Sequence, residues 1–253
     1  MILNAFEAGD GPPLVLLHGL FGAARNLGLL SRAFSGSYRV IGLDMRNHGD
    51  SPRAAEMNYA VMAADVAKTL AHLGLERVRL CGHSMGGKVA MMLALSRPKM
   101  VERLAVMDIA PVSYQHDYSG YVDALQAIPL SSALTRGEAD QALAAKVKAA
   151  PMRAFLLNNL VLGAVPRWRV GLDEIGANMA NLFRWDDPPN AAPYEGPTMF
   201  LCGAESNYVT PAAEAAILRR FPQAKIERVA GAAHWLHADK PEQVITALRE
   251  FFA

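Results

Sequence analysis

Only two cysteines, Cys81 and Cys202, occur in the 253 residues. That is too few for a disulfide framework, and their separation is not that of a thiolate metal site. Each falls in an apolar run that reads as a buried strand, so both read as reduced core residues. Net charge is equally scarce: 25 basic against 24 acidic residues leave a formal +1. This gives no electrostatic footprint for nucleic acid or for an anionic membrane surface. No segment approaches the roughly 18 continuous apolar residues of a membrane span. The N-terminus has no basic region followed by an apolar run, so neither a signal peptide nor stable membrane insertion is expected. A cytoplasmic protein acting on small neutral or mildly anionic molecules is the expectation, with no cofactor and no metal. Oligomeric state is not specified by any of these features.

What is present in quantity is apolar side chain. Hydrophobic residues make up 52% of the chain, enough for one large α/β domain with a small insertion or for two modest domains. Strand-like runs recur at 13–17, 39–43, 78–81, 101–107, 198–202 and 225–229, with helical patterns between most of them. Such alternation predicts a mostly parallel central sheet with helices on both faces. The spacing predicts helices over 59–73, ended by Gly74, and over 88–95, followed by Pro98. Two more, 211–221 and 241–252, open on prolines, which lose nothing at a helix start because that N–H has no partner anyway. From Pro111 to Pro197 the alternation fails, and helical pieces at 120–128, 136–149, 152–162 and roughly 172–182 replace it. Some 80 residues exceed what one crossover needs. The chain therefore divides into a core, 1–112 and 196–253, and a helical cap inserted at 113–195.

Chemistry concentrates in Gly82-His83-Ser84-Met85-Gly86, set between a strand-like and a helix-like run. That is the setting of a nucleophile elbow, where a sharp turn holds Ser84 Oγ clear of the sheet and the glycines allow strand and helix to approach. A serine hydroxyl is a poor nucleophile at neutral pH, so it needs a base, and the base needs an acid to orient it. His234, in Gly231-Ala232-Ala233-His234-Trp235, follows the last strand-like run, and a loop there can return imidazole to the top of the sheet. His83 reads as a packing residue, His237 as lining the rim, and His18 as bonding loop backbone. The acid is less plain. After the run 198–202 the position expected to hold aspartate carries Ser206, with Glu205 beside it. Asp108 ends the preceding strand and is the favoured acid, since a carboxylate after an apolar strand is costly to bury without a partner. Glu205 stays as the alternative, and Ser206 could donate a hydrogen bond to Asp108.

An oxyanion needs preorganised donors. The N–H of Met85, just after the nucleophile, is one; Leu20, in the glycine-rich turn His18-Gly19-Leu20-Phe21-Gly22, is the choice for the other, with Phe21 the alternative. Phe21, Phe155, Trp185, Tyr208 and Trp235 are candidate pocket residues, and Leu125, Ile128, Leu156 and Leu160 could add apolar surface from the cap.

Several segments together carry a resemblance: the turn at His18, Asp44-Met45-Arg46-Asn47-His48-Gly49-Asp50-Ser51-Pro52, the elbow, Met107-Asp108-Ile109-Ala110-Pro111, and Gly231 to Trp235. Over nearly its whole length the chain resembles the bacterial α/β-hydrolase esterases related to the mitochondrial hydrolase-domain proteins. That resemblance implies an α/β-hydrolase fold with a small helical cap and a carboxylesterase or acyl-CoA thioesterase activity. It also implies Ser84 as nucleophile, Asp108 as acid, His234 as base and Ser206 as support to the acid, with Arg46 to Gly49 a scaffold loop near the pocket. The expected reaction is cleavage of short to medium acyl esters through an acyl-serine. Thioester, carbon–carbon hydrolysis and perhydrolysis could share the residues. Halide release through an aspartyl intermediate is disfavoured by serine at the elbow, and a ligand-binding receptor of the same fold by the intact set of chemical groups.

Overall fold

The computed structural model describes residues 1–115 and 118–253. Its nine strands in chain order are β1 Ala5–Ala8, β2 Pro13–Leu17, β3 Arg39–Leu43, β4 Val78–His83, β5 Val101–Met107, β6 Leu160–Val161, β7 Arg167–Trp168, β8 Thr198–Gly203 and β9 Ala224–Val229. Seven form one sheet in the order β1-β3-β2-β4-β5-β8-β9. Every neighbouring pair runs parallel except β1 with β3. The sequence reading lacked β1, and the reason is physical: it is an edge strand, and Ala-Phe-Glu-Ala is only partly buried, with Phe6 51% exposed.

Successive side chains of a strand point to opposite faces, and the core divides accordingly. Leu14 and Leu16 of β2 pack with Phe34, Leu248 and Phe252. Val15 and Leu17 pack on the other side with Met62, Val66 and Val89. The first face is covered by α1, Gly28–Phe34, and α11, Pro241–Phe252; the second by α2, Tyr59–His72, and α3, Met85–Ser96. Helix α2 is capped by Asn58, whose side chain accepts the Val61 N–H, the usual service of a residue at that position. Helix α3 is buried along nearly its full length, so its apolar sequence gives no amphipathic stripe. Helix α9, Pro211–Arg220, lies between β8 and β9. Cys81 and Cys202 are buried free thiols.

Between β5 and β8 lie α4 Ser119–Gln126, α5 Arg136–Ala144, α6 Ala150–Leu157, the antiparallel pair β6 and β7, α7 Leu172–Ala177 and α8 Met179–Phe183. The sequence reading merged α7 and α8 into one helix. Asn178 separates them: its amide donates to Ala55 O at 2.7 Å and Glu174 O at 2.8 Å, and its Oδ1 accepts the Met57 N–H at 3.1 Å. The break tethers this segment to the loop before α2. The expected helix over 152–162 likewise stops at Leu157, and Leu160–Val161 pairs as strand. A short helix, α10 Leu236–Asp239, precedes α11. Among the described residues no helix is long and apolar enough to cross a membrane.

Candidate active site

Ser84 sits between β4 and α3 with φ 53° and ψ −119°, a left-handed, strained conformation for a residue with a side chain. The turn closes only because its neighbours are small. A Cβ on Gly82 would lie 2.3 Å from Gly86 O, and one on Gly86 would lie 2.4 Å from Leu17 O. The strain is held by the sheet itself, since the Ser84 N–H donates to Met107 O on β5 at 3.0 Å.

His234 enters from the loop after β9. Its Nε2 is 3.0 Å from Ser84 Oγ and its Nδ1 is 2.7 Å from Asp108 Oδ2. Asp108, the residue following β5, is fully buried and also has positive φ, 51°. Its carboxylate is met by three groups: the Gly203 N–H on Oδ1 at 2.9 Å, and the Ser206 hydroxyl and His234 Nδ1 on Oδ2 at 2.5 and 2.7 Å. A carboxylate so bound stays put and acts as acceptor, which fixes the proton of His234 on Nδ1 and leaves Nε2 free to accept from Ser84. Glu205 is exposed, and among the described residues its backbone alone, donating to Ala232 O at 2.9 Å, ties it to this loop. Of the two acid candidates, the structure brings Asp108 to the imidazole. Tyr208 stacks on the His234 ring at 4.0 Å and 21°.

Three further histidines, His18, His48 and His83, brace backbone. His83 Nε2 donates to His234 O at 2.8 Å, holding the loop that carries the imidazole, and burial keeps its pKa well below the ordinary value. His18 accepts the Met45 N–H on Nε2 at 2.9 Å and donates from Nδ1 to Gly19 O at 2.8 Å. His48 donates from Nδ1 to Arg46 O at 2.9 Å and accepts the Phe21 N–H on Nε2 at 3.1 Å. Burial lowers the His48 pKa to about 3, so it stays a neutral acceptor. That bond separates the two oxyanion candidates: the Phe21 N–H is engaged, whereas neither the Leu20 nor the Met85 N–H has an acceptor among the described residues. The turn is held from above as well, because Asn159 donates to Phe21 O at 2.7 Å. His237 lines the pocket with Nδ1 buried and unpartnered among the described residues.

Two cavities meet at Ser84 and Leu20. One, of about 50 Å³, has His234, Phe21, Phe155, Trp235 and His237 on its walls. It shares Phe155, Trp235 and His237 with an open groove of about 370 Å³ that runs past Leu30 and Pro151. The other, of about 30 Å³, is closed by Met85, Lys88, Tyr59, Tyr114 and Tyr208. Trp185, expected in the pocket, is in neither: it packs 6.0 Å from the Tyr59 ring, and its indole N–H donates to Asp187 at 2.8 Å. Leu125, Ile128, Leu156 and Leu160 are likewise buried in packing rather than lining either cavity. Lys88 and Tyr59 were missed. The available signal was a lysine inside an otherwise apolar helix. Among the described residues no group of three or more His, Cys, Asp or Glu could hold a metal ion.

Comparison with known proteins agrees with this architecture. Residues 12–241 match the family described as alpha/beta hydrolase fold. The chain is 41% identical over 251 residues to the sn-1-specific diacylglycerol lipase ABHD11 of Mus musculus, covering 96% of this chain and 81% of that protein. It is 36% identical to Esterase YbfF of Escherichia coli strain K12, covering 96% of this chain and 93% of the relative. A solved structure titled Marine microorganism esterase superposes with a TM-score of 0.95 at 35% identity, covering 99% of each chain.

Proposed function

Because the chain belongs to the alpha/beta hydrolase family, we propose that it is a carboxylic ester hydrolase in which Ser84 is acylated and deacylated with the help of His234 and Asp108. The observation that carries this reading is the continuous hydrogen-bond path from Ser84 Oγ through His234 to Asp108, at 3.0 and 2.7 Å. Ser84 Oγ attacks the ester carbonyl as its proton passes to His234 Nε2, and the Leu20 and Met85 N–H groups receive the oxyanion. The proton then goes to the departing alkoxide, the C–O bond breaks and an acyl-serine remains. Water, deprotonated by His234, attacks that ester, and the acid leaves as Ser84 regains its proton. Asp108 accepts from His234 Nδ1 and stabilises the imidazolium, with Ser206 and Gly203 fixing its direction.

The two cavities divide the substrate. His234 protonates the leaving group, so the alcohol belongs on the side that His234 lines, toward Phe155, Trp235 and the groove beyond. The acyl group belongs in the small cavity, which has Ser84, Leu20 and Met85 on its walls but not His234. A cavity of about 30 Å³ suits a short acyl group, at the lower end of the range expected from sequence. The cap, 113–195, supplies Tyr114, Phe155 and Phe183 to these walls while the core carries the reacting groups. Treatment with a fluorophosphonate followed by peptide mapping, alongside butyl acetate hydrolysis by Ser84→Ala, tests the reading. Labelling on Ser84 with loss of turnover in a folded variant is expected; retained turnover would remove Ser84 from the mechanism.

A further inference from the structure

Lys88 stands one helical turn beyond Ser84 on α3, and the mechanism above gives it no task. It is 1% exposed. Burying an ammonium is costly unless a counter-charge and hydrogen bonds meet it, yet among the described residues no carboxylate lies within ion-pair distance of Nζ. What surrounds it is two ring faces, Tyr114 at 4.8 Å and Tyr59 at 5.1 Å from Nζ, and one long bond to Arg184 O at 3.4 Å. Rings of this kind attract a cation without supplying an acceptor for its N–H groups. An ammonium has three such donors, so Nζ retains hydrogen-bonding capacity at the wall of the small cavity. Burial lowers its pKa to about 7, and an anion bound against it would restore the charge. A methionine would fill the same volume at no electrostatic cost, so packing alone does not account for lysine here.

The cavity that Lys88 helps close is the one assigned to the acyl group, and Ser84 lines it too. Resting on that assignment, we propose that the acyl pocket selects half-esters of short dicarboxylic acids, whose distal carboxylate is bound by Lys88 Nζ. Ser84 and Lys88 are four residues apart and line one small cavity, so the acyl chain joining a scissile carbonyl at Ser84 to a carboxylate at Nζ is a short one. The carboxylate supplies a further acceptor, and the counter-charge that no described residue provides.

The test compares monobutyl succinate with butyl 4-methylpentanoate, which has the same shape and heavy-atom count in its acyl group but no charge. Butanol release by the parent chain, Lys88→Met and Lys88→Gln gives kcat/KM for each ester. The half-ester is expected to be the better substrate of the parent. The ratio of the two esters should fall by about 10- to 100-fold in both variants, the worth of a hydrogen bond to a charged group. An unchanged ratio in variants that still hydrolyse the neutral ester, or a parent that prefers the neutral ester, would overturn the assignment while leaving the hydrolase reading intact. Calorimetric binding of monobutyl succinate to Ser84→Ala and to Ser84→Ala with Lys88→Met separates the converse case. Lys88-dependent binding without turnover by the parent would uphold the carboxylate site and refute the esterase; equal binding to both would refute the site.

Discussion

Replacing Asp108 with asparagine changes one oxygen to an amide nitrogen in a site where every direction is occupied. Oδ1 accepts the Gly203 N–H at 2.9 Å, and Oδ2 accepts from Ser206 and from His234 at 2.5 and 2.7 Å. If the asparagine oxygen keeps Gly203, its NH₂ faces His234 Nδ1. The imidazole must then carry its proton on Nε2, where it cannot accept from Ser84. If the amide is turned over, its NH₂ meets the Gly203 N–H in a fully buried position, at a cost of about 1–3 kcal/mol for the unsatisfied donors. The first arrangement wins because it satisfies the backbone, and the enzyme is left in the wrong tautomer. By analogy with loss of the acid in serine proteases, kcat should drop about 10⁴-fold, with the melting temperature little changed. Ser206→Ala removes one donor of three and should cost about 1 kcal/mol of transition-state stabilisation. Glu205→Gln, on an exposed side chain, should be silent. Hydrolysis of a small ester, with thermal denaturation of each variant, reads all three. An Asp108→Asn enzyme within tenfold of the parent, together with an inactive Glu205→Gln, would refute the reasoning.

Asn159→Leu should strip Phe21 O of its 2.7 Å bond and loosen the turn carrying Leu20, lowering kcat by the equivalent of about 1–3 kcal/mol with a smaller change in KM; a change in KM alone would contradict this. Phe155→Ala should shift preference among alcohol leaving groups, measured over methyl, butyl and octyl acetates, whereas Trp185→Ala, outside both cavities, should leave those ratios unchanged. His18, His48 and His83 all have pKa values lowered by burial, His48 to about 3. The unfolded chain, with histidines near about 6.5, therefore binds more protons than the folded one below that pH, and stability is full above it and falls as pH drops. The slope is up to about 1.4 kcal/mol per pH unit for each histidine, and urea midpoints at about pH 7.5 and about pH 5 should differ accordingly; equal midpoints would contradict the assignment of neutral, buried rings.

Much of this architecture is legible because buried parallel strands are continuous apolar runs. Runs 13–17, 39–43 and 101–107 coincide with β2, β3 and β5. The helix expected over 241–252 opens on its proline, and α11 has the same limits. Edge strand β1 escaped because it has no buried run, and α7 and α8 merged because a side-chain amide bonding to a loop over 100 residues away leaves no local pattern. At the site, the elbow is local and readable. The pairing of Asp108 with His234 spans 126 residues and was narrowed by strand order rather than by spacing. The choice between Leu20 and Phe21 rests on a single bond from His48, which no motif encodes. Trp185 illustrates the opposite failure: an aromatic residue in a cap can line a cavity or pack behind it, and composition does not distinguish the two.

The central claim is an acyl-serine on Ser84, and rapid-quench mass spectrometry with 4-nitrophenyl acetate tests it most directly. Within the first turnover, the account predicts a burst of 4-nitrophenol matched by one acetyl group per chain, located by peptide mapping on Ser84 and absent from Ser84→Ala. Product formation with no acetylated peptide, or acetyl on a different residue at the same stoichiometry, would contradict it.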